Sequence, residues 1–340
     1  MSGHRIAVVG ATGAVGTVML QCLKERGLDQ DNEIVLFATS RSAGLVIDGR
    51  TVRALDDSAE LSGIDIALFS AGGGTSKEWA PRFIEAGATV IDNSSAFRRD
   101  PEVPLVVSEV NPQALRRHNG LIANPNCSTM QLMVALAPIH REAGIERLVV
   151  ATYQSVSGTG RKAVDELEAE ARAALAGEPV PAPSVYPQQI AFNVIGAAGS
   201  FADGDDHTDE ERKMMFETCK ILEDESIAVA VTCVRVPVRT GHSEVVNIQT
   251  RDHLPIERAL ELLSQAPGLI VEKVPSPLTA EGRDEVFVGR VRRDQTHPNG
   301  LAMFVVADNL RKGAATNAVQ IAELLIREGI VSAPAAAAAA

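Results

Sequence analysis

Cys127 stands in the run Asn124-Pro125-Asn126-Cys127-Ser128-Thr129, directly ahead of an apolar stretch with helical spacing. A thiol at a helix N-terminus meets the positive end of the helix dipole and loose N–H donors, which favour the thiolate. The same N–H groups, together with the Asn126 amide, suit a developing oxyanion. The other three cysteines, Cys22, Cys219 and Cys233, fall inside helix or strand patterns, where an inert buried thiol is expected. The four are far apart, with no CxxC pair and no zinc-ligand spacing, so no metal site is implied.

A thiolate becomes specific in its chemistry when a hydride acceptor is also present. Gly10-Ala11-Thr12-Gly13-Ala14-Val15-Gly16 follows an apolar strand at 5–9 and opens a helix at 15–26. The spacing is GxxGxxG rather than GxGxxG, but the physics is shared. Gly10, Gly13 and Gly16 let the backbone approach a pyrophosphate, and the residues between them, Thr12, Ala14 and Val15, bring the helix N-terminus to it. A tight turn without a ligand is the alternative. The second strand, 33–38, runs into Thr39-Ser40-Arg41-Ser42, where NAD-binding folds usually place an acidic residue for the ribose hydroxyl. Ser40 and Arg41 suit a 2′-phosphate instead, so NADP is favoured over NAD. A second glycine cluster, 70–76, either lines the cofactor's path or is a flexible turn.

Thiolate plus nicotinamide points to an aldehyde dehydrogenase in which a thiohemiacetal on Cys127 becomes a thioester. Such a cycle needs an acid/base group. Of the seven histidines, His242 is the candidate, in a turn at 239–242 that follows a long strand. The others sit at termini, helix faces or loops, where a solvated role is the simpler reading.

These groups need elements to hold them. Strands at 5–9, 33–38, 65–69, 88–91 and 105–107 alternate with helices at 15–26 and 76–85, which implies a parallel doubly wound sheet. After Asn126 the pattern changes to a helix at 127–143, a strand at 147–155, an exposed helix at 161–176, a Pro-rich loop at 177–187 and a helix at 208–222. Long strands at 227–238, 245–251, 285–293 and 301–306 then suggest a mixed or antiparallel sheet, hence another domain. The last helix, 314–328, is expected to return to the first domain. The domains are therefore 1–126 plus 310–332, of Rossmann type, and an inserted α+β domain, 127–309, with an Ala-rich tail at 333–340 expected to be disordered.

With 340 residues the chain has room for two well-buried cores. Its net charge of −12 argues against nucleic acid as the main partner, though not against a small anionic substrate. The N-terminus carries no signal-like apolar stretch, and the longest uncharged run is too polar to span a membrane. A cytoplasmic location with reduced thiols is the expectation.

Together, GATGAVG at 10–16, SRSAG at 40–44, SSAFR at 94–98, NPNCST at 124–129, TYQSVSG at 152–158, RVPVRTGHSE at 235–244 and DNLRKGAA at 308–315 resemble aspartate-β-semialdehyde dehydrogenase. The resemblance covers nearly the whole chain, and segment 177–210 matches only loosely. It implies a Rossmann-type domain with an inserted domain for substrate contacts and dimerisation. It further implies Cys127 as nucleophile, His242 as acid/base, Gln154 orienting the thioester and Arg235 clamping the substrate carboxylate. Arg98 and Lys220 look like phosphate-binding cations, and Glu217 like a substrate-side residue, although a surface ion pair with Lys220 is the plainer reading. Ser157, Gly158 and Asn309 resemble cofactor contacts near the nicotinamide. The implied reaction joins aspartate 4-semialdehyde, inorganic phosphate and NADP⁺ to aspartyl 4-phosphate and NADPH, serving lysine, threonine and methionine synthesis. A homodimer is implied, with a tetramer as the alternative. Two other readings stay open: an N-acetyl-glutamyl phosphate reductase of the same architecture, and a catalytically silent NADP-binding regulator.

Overall fold

The computed structural model describes residues 3–331; the Ala-rich tail lies outside the described residues. The chain divides after Pro125 and again after Gly313, giving one unit from the two ends and a second from the middle.

In the first unit seven strands, β1 (Arg5–Val9), β2 (Glu33–Ala38), β3 (Val46–Ile47), β4 (Arg50–Ala54), β5 (Ile66–Phe69), β6 (Thr89–Asp92) and β7 (Leu121–Ala123), form one sheet. Its order is β3-β4-β2-β1-β5-β6-β7, and every pairing is parallel except β3 with β4. Helices α1 (Ala14–Glu25), α2 (Leu28–Asp31) and α3 (Gly73–Glu85) belong to it, as does the last helix, Thr316–Glu328.

Side chains alternate across a strand, and here both sets are apolar because both faces are covered. Ile6, Val8, Ile34, Leu36, Ile66 and Leu68 pack with α1 and the last helix. Ala7, Val9, Val35, Phe37, Ala67 and Phe69 pack with Trp79 and Phe83 of α3. Phe83 meets Phe37 and Phe69 edge-on, with centroids 5.8 and 5.2 Å away, a preferred aromatic geometry. The strand order reverses about β1, so the loop after it opens where doubly wound sheets bind ligands.

Residues 105–107 do not form the expected strand. Leu105 makes a single bridge to Ala123, and the edge strand is β7 instead. The Asn111 side chain accepts from Val107 N and donates to the Leu105 carbonyl, taking the groups a ladder would use.

The second unit has a six-stranded sheet of β8 (Ile145–Gln154), β9 (Ala228–Arg235), β10 (His242–Thr250), β11 (Leu269–Val271), β12 (Val286–Arg293) and β13 (Gly300–Ala307). The order is β11-β12-β13-β10-β8-β9, parallel at its two edges and antiparallel between them. Its helices include α4 (Cys127–Ala143), α5 (Arg161–Ala176), α6 (Asp209–Leu222) and α7 (Ile256–Gln265). Leu148, Val150, Thr152 and Gln154 of β8 and His242, Glu244, Val246 and Ile248 of β10 are buried on one face. The intervening Arg147, Val149, Ala151 and Tyr153 are more open, as are Val245, Asn247 and Gln249. Helix α4 packs against β10, α6 and α7 and is buried along most of its length, as a helix apolar all round requires.

The divisions fall one residue before, and four residues after, those read from the sequence. Asn126 belongs with Cys127 because it caps α4. Residues 310–313 stay with the second unit because Asp308 gathers them. Its carboxylate accepts from Leu310 N and Arg311 N, and its carbonyl from Gly313 N.

Candidate active site

In the first unit the glycine loop behaves as its spacing requires. Gly10 has φ +88°, and a Cβ there would lie 2.5 Å from the Ser70 carbonyl oxygen. A Cβ on Gly16 would lie 2.1 Å from the Gly10 carbonyl oxygen. Gly13 is the N-cap of α1, which carries no capping side chain and no acidic residue in its first turn, occupied by Ala14 and Val15. An anion therefore meets an uncontested helix N-terminus. The cleft beside it, about 620 Å³, is lined by Gly10, Thr12, Gly13, Thr39, Ser70 and Trp79 among others. Ser40 and Arg41 form an exposed turn immediately after Thr39, and Ser42 Oγ lies 3.4 Å from Thr12 Oγ1. The second glycine cluster opens α3, with Gly72 as N-cap at φ +84°. These features fit a dinucleotide phosphate.

Gly16→Ala is expected to weaken NADPH binding at least about tenfold, since the loop must open to admit the methyl group. Gly13→Ala, with its nearest contact at 3.3 Å, should cost less. Fluorescence titration of NADPH checks both, and equal affinities for the two variants would remove the phosphate loop from the account.

Arg98 also lies in this unit, buried, with Nη2 donating to the Asn93 carbonyl at 2.7 Å.

The second unit assembles the thiol and its surroundings. Half-buried Cys127 is the first residue of α4. Asn126 Oδ1 caps the helix, accepting from Ser128 N at 3.0 Å and Thr129 N at 3.3 Å. Asn126 N donates to Glu217 Oε2 at 2.6 Å and Nδ2 to Glu210 Oε2 at 2.8 Å. The Asn126 side chain is thus turned to the helix end and to Glu210. A Cβ on Gly313 would come within 2.9 Å of Cys127 Cβ. Glycine is thus required beside the thiol, and its lack of a side chain was the only sign of it in the sequence.

Gln154 closes β8 and donates through Nε2 to Ser128 Oγ at 3.0 Å, one residue from the thiol. The parallel register sets it opposite Arg235, at the end of β9. Arg235 is buried, donates through Nη1 to the Ser155 carbonyl at 2.6 Å, and faces the Tyr186 ring at 5.8 Å. Its Nε has no partner. Glu217 is buried on α6, and Lys220 is half-buried over the Phe216 ring.

His242 opens β10 rather than sitting in the preceding turn, and is fully buried. Its Nδ1 accepts from Ser155 N at 3.0 Å, with Ser155 Oγ at 3.1 Å. A backbone N–H has only a proton to offer, so the neutral ring carries its own proton on Nε2. Nε2 has no partner, and a Cβ on Gly158 would come within 3.1 Å of it. Burial, reinforced by the Arg235 charge, holds the imidazolium pKa down at about 3. Asn309 Oδ1 gathers Ser155 Oγ, Ser157 Oγ and Gly241 N at 3.0, 3.2 and 2.8 Å. Ser157, Gly158 and Asn309 thus all border His242 or its supports. Ser155 was missed, because the group that matters is its main-chain N–H, which every residue but proline has.

Burial pushes the thiols of Cys233 and Cys219 up, leaving both protonated at neutral pH.

The first unit matches the family model described as semialdehyde dehydrogenase, NAD binding domain, over residues 5–118. The second matches semialdehyde dehydrogenase, dimerisation domain, over residues 136–312. Fold and site thus define a semialdehyde dehydrogenase. An aspartate-semialdehyde dehydrogenase of Aquifex aeolicus is 53% identical over 341 residues, covering 97% of this chain and 100% of the relative. That of Streptomyces akiyoshiensis is 53% identical over 336 residues, covering 95% and 99%. A crystal structure of aspartate semialdehyde dehydrogenase II from Vibrio cholerae, complexed with ASA, superposes with a TM-score of 0.91 at 48% identity, covering 96% and 99%. The chain belongs to the aspartate-semialdehyde dehydrogenase family.

Proposed function

We propose that the chain catalyses the reversible, NADPH-dependent reductive dephosphorylation of L-aspartyl 4-phosphate to L-aspartate 4-semialdehyde, through a thioester on Cys127. The observation that carries this reading is Cys127 heading a buried helix whose N-cap is clamped by two glutamates. The Cys127 thiolate attacks the acyl carbon, the bond from that carbon to the bridging phosphate oxygen breaks and phosphate departs with both electrons of that bond. Arg98 and Lys220 are the cations assigned to the phosphate. When bound, NADPH supplies the hydride. The His242 Nε2–H donates to the oxygen that turns anionic on the Cys127 adduct, and collapse of that adduct breaks the C–S bond and restores the thiolate. His242 is in this reading a neutral donor, which narrows the acid/base role expected from the sequence.

Arg235 is assigned to the substrate α-carboxylate, which a guanidinium meets with paired hydrogen bonds. Glu217 lies on the substrate side, and Gln154 orients the acyl group. Gly10, Thr12, Gly13, Ala14, Val15 and Gly16 hold the pyrophosphate, Ser40 and Arg41 the 2′-phosphate of NADP, and Ser157, Gly158 and Asn309 border the nicotinamide. The enzyme acts as a cytoplasmic homodimer supplying lysine, threonine and methionine synthesis; the dimerisation-domain match supports the dimer.

The test is NADPH formation from L-aspartate 4-semialdehyde and NADP⁺. It should require phosphate and fail with NAD⁺ at matched concentration. Turnover of the N-acetyl-glutamate semialdehyde at a comparable rate, or turnover indifferent to phosphate, would sink the assignment.

A further inference from the structure

Glu244 has no part in the chemistry above. It lies two residues beyond His242 on β10, hence on the same face of the sheet, and is 0% exposed. Neither carboxyl oxygen has a hydrogen-bond partner. It stands opposite Val305 of β13 and Thr152 of β8, whose Oγ1 is likewise buried without a partner, and the Gln131 amide of α4 adjoins it. The other ionisable groups of this patch are His242, held neutral by burial, the Cys233 thiol on β9, which feels Glu244, and Glu210 and Glu211 on α6. None of them is a cation.

Gln131 is half satisfied. Its Nε2 donates to the His242 carbonyl at 3.1 Å, whereas its Oε1 is buried without a donor. Turning the amide over would set Oε1 against that carbonyl, two acceptors face to face, so the His242 main chain fixes its orientation. An ionised Glu244 would bring a charge into a patch without a cation, where neither the Gln131 amide nor the Thr152 hydroxyl makes a hydrogen bond to it, at the cost of burying an unpaired charge. One proton on Glu244 supplies the missing donor and removes the charge.

We propose that Glu244 is a positioning residue: as a neutral carboxylic acid it donates to Gln131 Oε1 and locks the amide that ties the His242 main chain to the helix carrying Cys127. The proposal rests on the roles given to Cys127 and His242. Burial pushes the Glu244 carboxyl well above the usual carboxylate range, in agreement. The folded chain then holds a proton that the unfolded chain releases near pH 4.5, so this group's contribution to stability declines as pH rises above that value.

Three forms of the full-length enzyme test this: wild type, Glu244→Gln and Glu244→Leu. Glutamine offers an N–H where the acid offers its O–H, and leucine offers nothing. The infrared spectrum of wild type at pH 8 should contain a protonated-carboxyl C=O band that is missing from Glu244→Gln. Glu244→Gln should melt at least as high as wild type at pH 8. It should keep kcat within about threefold, and any alkaline limb of the wild-type profile set by Glu244 should be gone. Glu244→Leu should lose kcat about tenfold or more with KM little changed. Absence of the protonated-carboxyl difference would overturn the proposal, as would a Glu244→Gln variant that loses kcat as fully as Glu244→Leu. The infrared and melting readouts do not depend on turnover. If the assigned reaction itself were wrong, wild type would be inactive while these readouts still reported on the Glu244 proton.

Discussion

Replacing Cys127 with alanine should abolish turnover, by on the order of 10⁴-fold or more, while NADPH still binds. The thiolate is the atom that bonds to the acyl carbon, and the remaining groups, Gln154, Arg235 and His242, only place or polarise that carbon. Binding is spared because the glycine loop belongs to the other unit. Cys127→Ser should be nearly as inactive, because a helix N-terminus that favours a thiolate falls far short of ionising an alkanol. The thiols rank themselves for a second check. Burial keeps Cys233 and Cys219 protonated, and Cys22 is buried against Thr316. An alkylating reagent at pH 7 should therefore modify Cys127 first and be slowed by substrate. Activity of Cys127→Ala within tenfold of wild type would end the covalent mechanism.

The same residues show where a sequence is legible. The paired apolar sets of β1, β2 and β5 announce a sheet covered on both faces, and Gly10 to Gly16 announce the loop at its switch point, because backbone geometry imposes residue type there. Cys127 is readable for the same reason, as the residue after a helix-capping asparagine. What sequence could not give is the direction of hydrogen bonds. Sequence leaves Asn126 facing either an oxyanion or its own helix, and its contacts with Glu210 and Glu217, distant in sequence, are seen only in the fold. Glu244 illustrates the converse. Alternation along β10 puts it beside His242, yet a glutamate two residues from a turn reads as solvated until α4 is seen to cover it. Residues 105–107 have the composition of a strand, but the Asn111 side chain meets their backbone groups first.

The His242 ring makes the sharpest use of that distinction. With Nδ1 accepting from Ser155 N, Nε2 presents a proton, and protonating the ring would set Nδ1–H against that N–H. Over the range where an ordinary histidine titrates, this ring stays neutral. The kcat/KM profile should accordingly lack an acidic limb from His242 near pH 6.5. Stability carries the complementary signature. The unfolded chain takes up the proton near pH 6.5 and the folded chain at about 3, so the contribution present at neutral pH is lost progressively as pH falls through that interval. His242→Ala should lower kcat by roughly 10²–10³-fold, the usual cost of one oxyanion donor. His242→Gln, which returns an N–H near the Nε2 position, should recover part of that loss without restoring any pH dependence. An acidic limb near pH 6.5 in wild type that vanishes in both variants would show that His242 cycles through imidazolium, and would return to it the role of general base.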